Sequence, residues 1–135
     1  MDSKKYNDFV LLIRQFCDDI NVDNYSHKSL DVTKVHQYVI FAHQEATNDL
    51  NLLLVDQKAV EGELYDKYKD DPRISYTKQE IEGKISQEDR AIQIRKDIAQ
   101  LKSQIIGLEN TMTNLSAMSY NVKNFIEGEK FYAGQ

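Results

Sequence analysis

The sequence predicts an all-α protein built from long helices, and three observations carry that expectation. Five glycines and one proline in 135 residues leave too few turn-forming positions for a β-sandwich or an α/β domain with many crossovers. Apolar residues recur at three- and four-residue spacing along most of the chain, the period of one helix face. A composition of 29% charged and 41% hydrophobic residues suits a folded, water-facing chain and excludes a collagen, a disordered tail or a disulfide scaffold. The length is that of one ordinary domain, so residues 1–135 are expected to form a single helical domain.

Residues 1–20 come first. Tyr6, Phe9, Val10, Ile13, Phe16, Cys17 and Ile20 make one apolar stripe, with Asp2 or Ser3 placed to cap the helix. From Asn21 to Ser29 the chain is polar, and side chains that compete for backbone hydrogen bonds should stop the helix and leave a tether. A long helix over 31–69 then starts at Asp31, with Val35, Val39, Ala42, Ala46, Leu50, Leu53, Val60 and Leu64 facing one way. Asp70-Asp71-Pro72 ends it, because the residue before proline is pushed out of the helical region. A basic turn region over 70–85 follows, with a short extended piece at Ile74 to Tyr76. The last helix, 86–132, begins at one of two capping arrangements, Thr77-Lys78-Gln79-Glu80 or Ser86-Gln87-Glu88-Asp89.

That last helix carries a seam. Ile94, Ile98, Leu101, Ile105, Leu108, Met112, Leu115, Ser119, Val122 and Ile126 step by alternating four and three residues, the pattern of a coiled coil. Its flanks are unusual for one. Between Lys102 and Lys123 the only charge is Glu109, while Ser103, Gln104, Asn110, Thr111, Thr113, Asn114, Ser116 and Ala117 are small or neutral. A helix so poor in charge is expected to be contacted on more than one side. The other two helices of the same chain could supply those contacts; assembly of several copies through Ile98, Leu101, Ile105, Leu108, Met112, Leu115, Val122 and Ile126 is the more economical expectation.

Several function classes are excluded on residue type. Apolar runs such as Val10-Leu11-Leu12-Ile13 and Leu52-Leu53-Leu54-Val55 fall far short of the roughly 20 residues that cross a bilayer. The opening residues do not read as a secretory signal, and one cysteine permits no internal disulfide, so a reducing cytoplasm is the expected compartment. The glycines are isolated, and none precedes Lys-Ser or Lys-Thr, so no phosphate-cradling loop is present. His36 and His43 are about two turns apart and cannot share a metal. Cys17 falls on an apolar stripe, where an inert packed thiol belongs. No enzyme activity, metal or cofactor is expected.

Charge is distributed unevenly. Residues 1–66 hold six Lys or Arg against twelve Asp or Glu, residues 67–102 nine against seven, and residues 103–135 two against three. The middle segment alone is net positive, and there Tyr65, Tyr68 and Tyr76 alternate with Lys67, Lys69, Arg73 and Lys78. Cations release counterions from phosphates and aromatic rings stack unpaired bases, so this pairing suits single-stranded nucleic acid. The plainer readings are a solvated helix face and tyrosines packed at a helix end.

Several stretches of the chain resemble one family. Leu30-Asp31-Val32-Thr33-Lys34-Val35 is similar to its aliphatic-Asp-X-Thr-Lys-aliphatic helix start, Leu64-Tyr65-Asp66-Lys67-Tyr68 to its Leu-Asp-Tyr-Tyr, and Ile85-Ser86-Gln87-Glu88-Asp89 to its next capped start. Asn121-Val122-Lys123-Asn124-Phe125-Ile126 and Lys130-Phe131-Tyr132-Ala133-Gly134-Gln135 look like its closing Ile-Lys-X-Ile and Phe-X-Ala-Gly-Lys. The family is that of the UvsY recombination mediators of T-even-type phages, and the likeness runs in order over roughly residues 30 to 135. It implies a hexameric or heptameric ring assembled through C-terminal helices, in the bacterial host cytoplasm. The ring would serve DNA recombination, repair and replication by binding single-stranded DNA, a RecA-like recombinase and the single-strand DNA-binding protein. Where the family has a basic Lys-X-Arg-Leu, this chain reads Glu61-Gly62-Glu63-Leu64, so those cations are not carried over. The DNA contact is then expected at Lys58, Tyr65, Lys67, Tyr68, Lys69, Arg73, Tyr76, Lys78 and Lys84. A coiled-coil hairpin of structural or chaperone-like, prefoldin-type function is the competing expectation. A DNA-mimicking nuclease inhibitor using the acidic N-terminal half ranks third.

Overall fold

A computed structural model describes residues 2–20 and 24–134, apart from the side chains of residues 25–29, 122, 125 and 126. Val122 and Ile126 of the expected seam therefore lie outside the described side chains. The fold is all-α: α1 (Ser3–Asp18), α2 (Tyr25–Lys69), α3 (Lys78–Ser86) and α4 (Asp89–Ala133), with no strand among the described residues. These residues divide into two compact units, Met1–Ala46 with Gln104–Gln135, and Thr47–Ser103.

Local chemistry accounts for most of the helix ends. Asp2 caps α1, its carboxylate accepting from the Lys5 amide at 2.8 Å. Six of the seven stripe residues lie in α1 and Ile20 lies just past its end; all seven are half-buried, whereas Leu11 and Leu12 on the other side of the helix are exposed. α2 begins at Tyr25, not at Asp31 as the sequence predicts, and Asp31 is an exposed residue inside the helix. Asn and Ser cost a helix only a few tenths of a kcal/mol each. Nothing from 24 to 30 is Gly or Pro, and the fully buried Val32 and Val39 draw the helix back past the expected start. Asn24, just ahead of it, donates from Nδ2 to the Asp19 carbonyl at 2.8 Å.

At Lys69 the helix ends as expected. The Asp71 carboxylate accepts from the Arg73 amide at 2.9 Å and folds the chain round Pro72. Residues 74–77 have no regular structure, so the expected extended piece forms no strand. The basic turn region is also corrected, because residues 78–86 form a helix of their own. Thr77 caps it by accepting from the Glu80 amide at 3.2 Å, and Ile81 is buried beneath it. Ser86 does not cap the next helix; it closes this one, its hydroxyl donating to the Gly83 carbonyl at 2.7 Å. α4 starts two residues later than Gln87, with the Ile92 amide donating to the Glu88 carbonyl at 2.9 Å.

In the unit containing both termini, α2 contributes Val32, Val39, Ala42 and Ala46 to the core and α4 contributes Leu108 and Leu115. Glu109, the one charge in the neutral stretch of α4, faces His43 of α2 at 3.2 Å. The Tyr6 ring of α1 lies against Gly107, where a Cβ would run into its hydroxyl, so α1 docks on its own chain through a glycine notch. Gln104 is buried here as well, with no partner for its Oε1 among the described residues, although the sequence places it on the flank. In the second unit the core is Leu64 of α2, Ile81 of α3, and Ala91, Ile98 and Leu101 of α4.

Thus the seam is largely covered within one chain. Ile98, Leu101, Leu108 and Leu115 are buried, and Ile105 and Met112 are half-buried, without any second copy. Contacts from the chain's own helices, one of the two arrangements the sequence allows, account for the burial of these six residues. Thr111 and Thr113 of the neutral flank and Ser119 of the seam satisfy their own hydroxyls, donating to the Gly107, Glu109 and Leu115 carbonyls one turn back.

Candidate nucleic-acid interface

The nine residues expected to touch DNA all fall in the unit Thr47–Ser103, and helix geometry sorts them. At 100° per residue, Lys58, Tyr65 and Lys69 share one face of α2 with Gly62, while Lys67 points to the opposite side. Two separate clusters result.

The first is a groove of about 510 Å³. Tyr65 forms one wall on α2 beside Gly62 and Glu61, Lys78 and Glu82 come from successive turns of α3, and Arg95 comes from α4. Lys69 extends over the Tyr65 ring, its Nζ 6.0 Å from the centroid. Arg95 is held in place by donating to the Ser86 carbonyl at 2.5 Å. Lys58, Lys69 and Lys78 are exposed and make no ion pair among the described residues. Ile85 and Ala91 give the groove an apolar floor.

The second cluster is closed on itself around Glu88, at the start of α4. Tyr68 donates its hydroxyl to the Glu88 carboxylate, and Lys67 reaches the same oxygen at 3.4 Å. The Tyr68 and Tyr76 rings pack edge to face at 5.8 Å, and Lys84 lies 5.9 Å from the Tyr76 centroid. The Tyr68 bond, with Lys67 beside it, holds the Glu88 carboxyl below its ordinary range; the same bond pushes the Tyr68 phenol up. Here the aromatic and cationic groups are already partnered by protein.

Arg73 belongs to neither cluster. It is almost fully exposed on the turn, with its Nε 3.8 Å from the Asp71 carboxylate. Of the two acidic residues flanking Gly62, Glu63 pairs with Arg90 of α4 at 3.2 Å and Glu61 borders the groove. Arg95 belongs to the net-positive segment but is not among the nine residues expected at the contact, and Glu82 was missed by sequence reasoning. Glu82 had a readable signal, since Lys78, Glu82 and Ile85 share a helix face once residues 78–86 are read as helical.

Outside this unit, burial and then Asp18 push the half-buried Cys17 thiol above its ordinary value, which disfavours the reactive thiolate. Among the described residues no group of His, Cys, Asp and Glu is placed to hold a metal, and no helix is long and apolar enough to cross a membrane. No protein-family model, characterised protein or solved structure matches the chain.

Proposed function

We propose that the chain is a recombination mediator that binds single-stranded DNA and promotes loading of a RecA-like phage recombinase in place of the single-strand DNA-binding protein. One observation carries the reading: a half-exposed tyrosine, Tyr65, stands in an open groove with unpaired lysines on both α2 and α3 and a fixed arginine on α4. Phosphates gain from the cations and an unstacked base gains from the ring, a combination that duplex DNA does not use. The protein acts by binding alone, holding the strand in a form that loosens the binding protein's coat and favours recombinase nucleation.

Self-assembly makes this polyvalent and lets a segment of weak net charge suffice. With the inner seam covered, assembly runs instead along the outer face of α4. There Ile106, Asn110, Thr113, Ala117 and Tyr120, again at four- and three-residue spacing, are all exposed and uncharged. The proposed setting is the cytoplasm of a phage-infected bacterium.

The test is fluorescence anisotropy with a labelled single strand and its duplex at one salt concentration, followed by recombinase filament assembly on strands coated with single-strand binding protein. Selective binding of the single strand and a shortened nucleation lag are expected; equal affinity for duplex defeats the stacking role of Tyr65. The covered seam favours a second reading, a structural or chaperone-like helical hairpin. That reading expects suppression of client aggregation that added DNA leaves unchanged.

A further inference from the structure

The Tyr65 groove contains two groups that a simple phosphate-binding surface would not carry. Glu61 and Glu82 line it beside Lys78 and Arg95, and neither carboxylate has a hydrogen-bond or ion-pair partner among the described residues. Two unpaired carboxylates oppose the phosphate attraction of the cations. They are, however, strong acceptors standing beside an aromatic platform, and the edge of a nucleobase presents donors.

We infer that the groove is a base-reading pocket for a nucleotide unit of single-stranded DNA whose base offers N–H donors, guanine foremost. The ring stacks on Tyr65, Lys78 and Arg95 take the flanking phosphates, and Glu61 or Glu82 accepts from the base edge. Guanine carries N1–H and an exocyclic N2–H side by side, so one carboxylate can accept from both. Thymine offers a single N–H between two carbonyls, and those carbonyls are repelled by a carboxylate. The space is adequate, since about 510 Å³ lies within the roughly 300 to 1,000 Å³ of small-ligand sites. Gly62 keeps the wall next to Tyr65 open, because a Cβ built there meets nothing within 4 Å and a large side chain would enter the groove. This inference rests on the strand-binding reading and adds to it a preference among bases.

The experiment uses the full chain and anisotropy at one salt concentration with three strands of about 15 nucleotides. They are oligothymidylate, the same strand with guanine at alternate positions, and the same strand with hypoxanthine, which lacks only the 2-amino group, in place of guanine. The guanine strand is expected to bind about five- to tenfold more tightly than oligothymidylate, with hypoxanthine between them. The Glu61→Gln, Glu82→Gln double variant should bring the affinities for the three strands together. Gly62→Phe should remove the preference, while Gly62→Ala keeps it and controls for the helix. Circular dichroism confirms that each variant is folded. Equal wild-type affinity for the three strands overturns the base-reading inference and leaves strand binding standing, as does a preference that survives in the double variant. Failure to bind any strand overturns both.

Discussion

Tyr65 and Tyr68 lie three residues apart on α2, within one helical turn, and each has a lysine beside its ring. Tyr65 opens onto a groove with unpaired cations, whereas Tyr68 is spent on Glu88 and on the ring of Tyr76. A tyrosine alternating with lysines is thus two different objects according to helical phase: a platform where the neighbouring element supplies a gap, and a strut where it supplies an acceptor. α4 repeats the contrast. Leu108 and Ile106 are two residues apart, one in the core and the other more than half exposed.

The comparison is broken most severely at the core positions. Leu115 is fully buried and Leu108 nearly so, and truncating such a leucine costs about 2 to 5 kcal/mol even before a charge is introduced. Leu108→Asp with Leu115→Asp is therefore expected to abolish most helical circular dichroism at every protein concentration, and not simply to dissociate an assembly. A helical double variant would show that the seam is not the core. Next in size, Ile106→Glu with Ala117→Glu should leave helicity intact while shifting sedimentation to the monomer; unchanged sedimentation of a self-associating wild type removes the outer face from the assembly.

Within the unit Thr47–Ser103, Lys69→Glu with Lys78→Glu should weaken single-strand affinity by about tenfold or more at low salt and flatten its salt dependence. Lys67→Glu should do much less, since Lys67 already serves Glu88. If Lys67→Glu is the more damaging, the partition into groove and closed cluster is wrong. Stacking is a smaller effect. Tyr65→Ala is expected to cost at least about 1 kcal/mol of binding, roughly fivefold, whereas Tyr68→Phe leaves affinity unchanged and lowers the melting temperature.

The smallest effect is a pH dependence. Glu88 has a folded pKa below its ordinary value of 4.5, so its stabilising contribution is present above that pH and fades as the pH falls through the depressed value. Tyr68 is raised above its ordinary 10.0, so the neutral phenol's contribution is present below that pH and is lost as the pH climbs through the raised value. The difference in melting temperature between wild type and Tyr68→Phe should stay level through neutrality and shrink at both extremes. A difference that does not vary with pH would mean that the Tyr68–Glu88 bond does not stabilise the fold.

Much of this architecture is legible from side-chain period and breakers. The α1 stripe from Tyr6 to Ile20 is half-buried at every position named, and α2 stops at Lys69 because Pro72 follows. The start of α2 was not legible, because burial of Val32 and Val39 outweighs the weak helix propensities of the polar residues before them. α3 was legible in part: Thr77-Lys78-Gln79-Glu80 reads as a capped start, but the short apolar pattern of Ile81 and Ile85 does not show that a separate helix ends at Ser86. At the site, the sequence marks out the cationic and tyrosine-bearing segment but assigns Tyr65, Tyr68 and Tyr76 one role.

By itself, then, the sequence determined the helical class, the positive segment between acidic neighbours, and the period of each apolar face. These are properties of a chain read locally, where 3.6 residues per turn and residue type are enough. Only the tertiary structure decided which partner each face meets. It gave Leu108 and Leu115 a place in the core of their own chain, tied Tyr68 to Glu88 from 20 residues away, and drew Arg95 into a groove with Tyr65. The reason is that periodicity fixes where a side chain points around its own helix, while the element across from it depends on how separate helices pack.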